Sequence, residues 1–317
     1  MRFHDWIETL SCPMEDGAAL DLYLVRGESM MLIDSGLAST PEQYIFPYLE
    51  RTGRTMSQLQ AVVITHAHVD HFGGNGDLHR ANRNLRFYIH RSDLEWAEDR
   101  RKHFMELYEA LPGQWEPGDG YRREVLRQCG GDVPITAALV EGELVGTGSV
   151  VFTCMHMPGH SPGHLILHQQ EMKAAICGDL LQQAGTGPQG KRVFPLYHQV
   201  EPYLQSLERF KALQLQTAAT SHFGLLEGEK ITEAIRLSRD FVKDHNDRLL
   251  NVLQEADEPL TLKELTWRVH AAYYSEYELG LQIHATTYAH CQHLRDRELV
   301  HRCLHQGQMT WKAGSSK

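Results

Sequence analysis

The stretch VVITHAHVDHFGG, residues 62–74, places three histidines and an aspartate within six positions, directly after an apolar run. Val62, Val63 and Ile64 read as the end of a buried strand, a setting that β-branched residues favour. His66, His68, Asp70 and His71 then crowd its exit. Four ionisable groups there are costly to desolvate unless something compensates them. For mixed imidazoles and carboxylates the usual compensation is a metal cation, and the rest of the chain must then supply further ligands.

Upstream, AALDLYLVRGESMMLIDSGL (18–37) reads as two strands around a Gly27-Glu28 turn, with Asp34 at the second strand's end. Downstream, the glycines of HFGGN allow a sharp exit into a helix near 76–83. LRFYIH (85–90) is a strand, and 92–111 a helix with Ser92 as N-cap. Pro112, Gly113, Pro117, Gly118, Gly120, Gly130 and Gly131 predict an irregular stretch within an insertion spanning about 92–134. Strands follow at roughly 135–145, 149–157, 164–169 and 173–178, then helices at 199–214 and 228–256. Both halves run strands first and helix after, which predicts an α/β fold with two sheet layers sandwiched between helices.

Three more strand-to-loop junctions carry metal-ligand residues. HMPGHSPGH puts His160 on a Gly-Pro turn, AICGDLL puts Asp179 after an apolar strand, and TSHFG puts His222 after TAAT. Together with the first cluster they meet the need of a dinuclear site, about six ligands plus a bridging group. In these motifs the chain resembles the metallo-β-lactamase superfamily, in the hydrolase branch of glyoxalase II-like thioesterases, lactonases and some nucleases. The resemblance covers about residues 18–245 and implies the αββα sandwich of that family.

It further implies that His66, His68 and His160 hold one metal. Asp70, His71 and His222 would hold the second, with Asp179 bridging both. Asp34 would organise the loop without touching metal, and Asp70 would orient the nucleophile and take its proton. Two divalent ions are implied, with zinc preferred and iron or manganese compatible with the same nitrogen and oxygen donors. Lactamases that open β-lactams typically use a cysteine at the second site. Here Asp179 stands at that strand end and Cys177 two positions earlier, which argues against β-lactamase activity. SHFG also replaces the GHG of many relatives around the last histidine.

Other residues carry weaker signals. His164 reads as a support behind the ligands, as do His156 and His168. Tyr197 and His198, in KRVFPLYHQVEPY, are candidate substrate contacts. Trp96, Phe104, Tyr108 and Trp115 read as core packing, with an apolar lid as the alternative. The six cysteines form no C-x-x-C pair and predict free, buried thiols.

The composition shifts near Asp244, which divides the chain into a hydrolase domain (1–244) and a second unit (245–317). The latter reads as three helices and a β-ribbon around Gln306-Gly307, the outline of a winged helix. Residues 257–317 carry seven Lys or Arg and seven Asp or Glu. The expected recognition helix, IHATTYAHCQHLRDRE, therefore lacks the basic stripe that phosphate contacts require. The unit's six histidines, from His270 to His305, read as a solvated face. This unit is expected to pack on the hydrolase and to shape the pocket or a homodimer contact.

The whole chain carries a net charge of −10, which opposes general nucleic-acid binding. No run approaches the roughly 18 apolar residues of a membrane span, and MRFHDWIETL lacks a signal-peptide core. A cytoplasmic protein with no membrane partner is expected. The leading reading is hydrolysis of a small-molecule thioester or other ester. Alternatives are a lactonase, an endoribonuclease of this fold acting on RNA, and a regulatory module that binds through the winged helix. Lys230 and Arg236 are the nearest basic residues after His222, too few to predict a glutathione site.

Overall fold

The computed structural model describes residues 2–14, 18, 20–108, 118–183 and 194–314. The first sheet is built in chain order from β1 (Arg2–His4), β2 (Ile7–Ser11), β3 (Asp21–Arg26), β4 (Met30–Ile33), β5 (Leu59–Ile64), β6 (Arg86–His90) and β7 (Ala137–Leu139). Its β1–β4 half is antiparallel, and β4 through β7 run parallel. The second sheet holds β8 (Leu144–Gly146), β9 (Val151–His156), β10 (Leu165–Gln169), β11 (Ala174–Ile176), β12 (Thr217–Ala219) and β13 (Leu225–Glu227). All its pairs are antiparallel except β11–β12.

The period-two alternation of a strand sorts these side chains into layers. Leu22, Leu24, Leu32, Val62 and Ile64 face one apolar cluster on the outer side of the first sheet. Tyr23, Val25, Ile33 and Val63 face the other way, where they meet Phe152, Cys154, Leu165 and Leu167 of the second sheet. The outer cluster is covered by α1 (Phe46–Arg51), α2 (Val69–Phe72), α3 (Asn75–Ala81), α4 (Leu94–Glu98), α5 (Arg100–Leu107) and α6 (Asp119–Gln128). On the far side of the second sheet lie α7 (Val200–Ala212) and α8 (Glu229–Glu255). This is the expected αββα sandwich.

Gly73 and Gly74 serve a different purpose from the one their sequence implies. Neither adopts a positive φ. A Cβ on Gly73 would stand 2.2 Å from the Gln128 carbonyl oxygen, and one on Gly74 2.2 Å from that of Ser35. They are small so that the chain after the histidine cluster can press against two neighbouring segments.

Three expectations, two in the insertion and one just after it, need correction. Ser92 caps no long helix: residues 91–93 form a 3-10 turn, and the helical stretch breaks at Asp99. Asp99 is extended and its side chain accepts from the Arg101 and Lys102 amides, so it restarts the helix as α5. Within 112–131, residues 119–128 form α6 in spite of the glycines, with Val125 buried and the rest largely exposed. Pro112, Gly113, Trp115 and Pro117 lie outside the described residues. The strand expected over 135–145 is two short strands, β7 and β8, which belong to different sheets and are separated by a turn at Gly142.

At the C-terminal end, α8 is followed by α9 (Leu262–Tyr273), α10 (Leu281–Asp296) and the ribbon β14 (Val300–His305) and β15 (Gln308–Ala313). Thr261 caps α9 through a reciprocal pair with Glu264. The boundary expected at Asp244 falls inside α8, and one apolar cluster extends from Met157 through Leu249 and Cys291 to Trp311. On α10, His284, His290 and His293 are buried, which corrects the expectation of a solvated histidine face. No helix among the described residues is long and apolar enough to cross a membrane.

Candidate metal centre

Strand ends from both sheets meet at one edge of the sandwich. Asp34 follows β4, His66–His71 follow β5, His160 lies on the β9–β10 turn, Asp179 follows β11 and His222 follows β12. The Tyr23 hydroxyl donates to the Thr220 carbonyl at 2.7 Å and ties the two layers beside the last histidine.

His66, His68 and His160 form the deeper group. His66 Nε2 stands 3.0 Å from both His68 Nδ1 and His160 Nε2. Burial, then the neighbouring imidazoles, push the pKa of His66 and His68 well below the usual histidine range. Burial also lowers that of His160. The three rings bring His66 Nε2, His68 Nδ1 and His160 Nε2 together at one point.

Asp70, His71 and His222 form the outer group, where the His222 side chain is 22% and that of Asp70 17% exposed. His222 Nε2 lies 3.3 Å from an oxygen of Asp70 and 3.3 Å from one of Asp179. His71 Nε2 lies 3.7 Å from each of these two carboxylates. Asp179 also reaches His160 Nε2, at 3.5 Å, and so stands between the groups. Burial opposes charge on His71, but Asp70, Asp34 and Asp179 outweigh it and push its pKa up to about 10. In the same way Asp179 and Asp70 outweigh burial and raise that of His222. The carboxyls answer in reverse: burial raises Asp179, yet His222 and His71 hold it well below the ordinary carboxylate range.

Two observations test whether these residues fit a cation. The ligand atoms of His66, His68 and His160 lie within 4.8 Å of one another, as do those of His66, His71 and Asp179 and those of Asp70, His71 and His222. Second, His71 Nε2 and Asp179 Oδ1 are buried with no hydrogen-bond partner among the described residues. Orphaned buried polar atoms of this kind are costly. Nitrogen and carboxylate donors that converge so closely fit divalent metal ions.

Neighbouring residues hold these side chains in place. Asp34, at φ 61°, accepts from His71 Nδ1 at 2.8 Å, from the Thr65 amide at 2.7 Å and from the Thr65 hydroxyl at 2.9 Å. That fixes the His71 tautomer and aims Nε2 inward. His164 is buried behind the cluster, where Nε2 accepts from the Asp179 amide at 3.2 Å. Gly178 takes φ 49°, and a Cβ there would stand 2.9 Å from the Thr65 hydroxyl, which accounts for the glycine before Asp179. Cys177 points away and donates to the Ala219 carbonyl.

Asp93 was missed as part of the site. Fully buried, it accepts from the Ala67 amide (3.0 Å), the Ser161 hydroxyl (2.6 Å) and the Gly163 amide (2.5 Å). It therefore buckles the His66–His68 loop to the His160 loop. The available signal was its place, an aspartate just past the end of β6, as Asp34 stands past the end of β4. Gln182 was missed as well: its amide donates to the Asp179 carbonyl and accepts from the Leu196 amide.

The two candidate substrate contacts part company. Tyr197 is fully buried, stacks on Tyr203 and bonds through its hydroxyl to His290 Nε2 at 2.7 Å, so it does not enter the cluster. Its neighbour His198 has its ring centroid 5.7 Å from that of His68, and its Nε2 is unpartnered among the described residues. Burial pulls the His198 pKa down to about 3, so the ring is neutral. His156 stacks on His90 and bonds the Pro162 carbonyl. Phe104 and Tyr108 are buried core residues, whereas Trp115 lies outside the described residues.

Comparison with known proteins agrees with this geometry. Residues 21–222 match the model of the metallo-beta-lactamase superfamily. The chain is 28% identical over 242 residues to the acyl-coenzyme A thioesterase MBLAC2 of Bos taurus, covering 72% of this chain and 80% of that protein. It is 30% identical over 129 residues to the hydroxyacylglutathione hydrolase GloC of Haemophilus influenzae, covering 41% of this chain and 53% of that protein. A metallo-beta-lactamase family protein of Thermus thermophilus superposes with a TM-score of 0.75 at 20% identity, over 98% of this chain and 99% of the other. The chain belongs to the metallo-beta-lactamase superfamily and is a metal-dependent hydrolase.

Proposed function

We propose that the chain hydrolyses thioesters, with an acyl thioester as the first candidate, through a dinuclear centre. The observation that carries this reading is the convergence of the three ligand groups on Asp179, the one carboxylate among the described residues that reaches His71, His160 and His222. His66, His68 and His160 would hold one cation, Asp70, His71 and His222 the other, and Asp179 both. Zinc is the first choice for each. Bound there, two divalent cations supply hydroxide at neutral pH and offset charge that develops on a carbonyl oxygen.

The chain's own groups do the rest. Asp70, ionised and partly open to solvent, orients the nucleophile and accepts its proton. His198 presents its neutral, unpartnered Nε2 beside His68 to a substrate polar group. A thiolate leaving group needs little proton assistance, because a thiol titrates near about 8.5. The relatives that are a thioesterase and a hydroxyacylglutathione hydrolase favour the same substrate class.

The helices and ribbon after Asp244, whose order is that of a winged helix, act here in holding the hydrolase core. On α10, Thr286, Thr287, His290 and Cys291 are buried, which supports a packing role for this helix. Arg236 is committed to Glu233 and Asp240 on its own helix.

The test is turnover by metal-loaded protein on acyl-CoA and glutathione thioesters, lactones and a structured RNA, with Asp179→Ala as control. Thioester turnover that disappears in the control is the expected result. Turnover of lactone or RNA alone would overturn the substrate class.

A further inference from the structure

The segment 195–199 reaches the site with its backbone and turns a side chain away from it. The Leu196 carbonyl accepts from His160 Nδ1 at 2.6 Å, which leaves Nε2 as the atom facing His66 and Asp179. A backbone acceptor on the far nitrogen fixes both tautomer and ring orientation of such a histidine. What then fixes the carbonyl?

On one side, the amides of His198 and Gln199 donate to the Gly159 carbonyl at 2.8 and 3.1 Å. On the other, two adjoining residues are gripped from the C-terminal helices. The Thr286 hydroxyl donates to the Pro195 carbonyl at 2.7 Å, and the Tyr197 hydroxyl meets His290 Nε2 at 2.7 Å. His290 in turn is set by Asn246 on α8, whose side-chain oxygen lies 2.7 Å from Nδ1. With that oxygen as acceptor, Nδ1 donates and Nε2 is left to accept the Tyr197 proton. All of Tyr197, Thr286 and His290 are fully buried.

We propose that Tyr197 and His290 are positioning residues of the metal centre: a latch from α10 that holds the Leu196 carbonyl on His160. The C-terminal unit thereby tunes the three-histidine group without contributing a ligand. This inference rests on the reading of His66, His68 and His160 as a metal group.

The test uses the full chain, stripped with a chelator and titrated with cobalt(II) against a chromophoric competitor. Affinity, visible absorption and the thermal midpoint of stripped and loaded protein are recorded. Tyr197→Phe removes one hydroxyl and keeps the ring stack on Tyr203. His290→Leu removes the acceptor, and His290→Gln restores one near the same place. The expected result is about 10-fold weaker binding for Tyr197→Phe and His290→Leu, at the low end for loss of a residue that orients a ligand. Their absorption bands should shift, and His290→Gln should lie closer to wild type.

Wild-type protein that binds no cobalt would overturn the metal-group reading itself. Wild-type protein that binds it, with Tyr197→Phe equal in affinity and spectrum, would overturn the latch alone. Equal loss of thermal midpoint in stripped and loaded protein, with affinity unchanged, would likewise overturn the latch and leave the metal group standing. If His290→Leu does not fold, Tyr197→Phe decides.

Discussion

Segments 65–71 and 195–197 both touch the metal centre, and they do so by opposite means. The first sends side chains inward: His66, His68, Asp70 and His71 all take part. The second offers a main-chain oxygen, that of Leu196, and sends the Tyr197 ring away into the C-terminal helices. Chemistry carried by side chains leaves a spacing pattern in the sequence. Chemistry carried by a carbonyl leaves none, because every residue has one. This is why Tyr197 stands out in the sequence, while the atom that meets His160 belongs to the residue before it.

The sharpest way to break the comparison is to attack the side-chain half. Asp179→Asn keeps size but removes the charge that faces His71, His160 and His222. Turnover should fall by at least about 10³-fold, or roughly 4 kcal/mol of transition-state stabilisation. Steady-state kinetics with a parallel metal count would check it. Loss below about 10-fold with both metals retained would remove Asp179 from the centre of the mechanism.

Next in size is Asp93, a side chain that acts entirely on backbone and hydroxyl donors. Asp93→Ala would strand the Ala67 and Gly163 amides and the Ser161 hydroxyl in a buried place. Each orphaned group costs about 1–3 kcal/mol, so a loss of about 3 kcal/mol or more in unfolding free energy is expected. Denaturant titration of stripped protein reads it. Retained stability would mean that the two ligand loops are not buckled there.

The backbone half predicts a contrast within two ligand-related positions. His160→Ala should abolish binding at the three-histidine group. Leu196→Ala should change cobalt affinity less than about two-fold, since the carbonyl that meets His160 survives the substitution. A large effect of Leu196→Ala would show that its side chain, and not its main-chain oxygen, is what His160 depends on.

The same division explains what the sequence made legible. The strand–loop junctions that carry His66, His160, Asp179 and His222 combine an apolar run with an ionisable residue, so fold and site announce themselves together. The layers followed from alternation in Leu22–Val25 and Val62–Ile64, whose neighbours face opposite clusters. The break at Asp99 was hidden because arginine and lysine continue a helical composition across it, and only the cap geometry reveals the restart. Residues 119–128 were hidden for the opposite reason: Gly118 and Gly120 signal irregularity, yet they sit at the helix start, where their cost is small. The buried histidines of α10 looked solvated because sequence does not say which neighbour will cover a helix face.

A last and modest effect belongs to a charged cluster of other residue types with no part in the site. Glu8, with a side chain 4% exposed, accepts from Arg54 Nη1 at 2.7 Å and the Tyr48 hydroxyl at 2.6 Å, and forms an ion pair with Arg26, whose Nε lies 2.9 Å away. Burial raises its pKa, but Arg54 and Tyr48 outweigh burial and bring it below the ordinary glutamate value. A carboxyl lowered on folding contributes stability that is complete above its unfolded value, about 4.3, and is lost as pH falls through the folded value. Glu8→Gln should therefore cost about 1 kcal/mol at pH 7, the scale of a partly screened ion pair, and progressively less below about pH 4. Cobalt affinity should not change. Thermal midpoints of both proteins between pH 7 and pH 3 would show the gap closing. A gap that persists at pH 3 would mean that Glu8 contributes by shape and hydrogen bonding and not by charge.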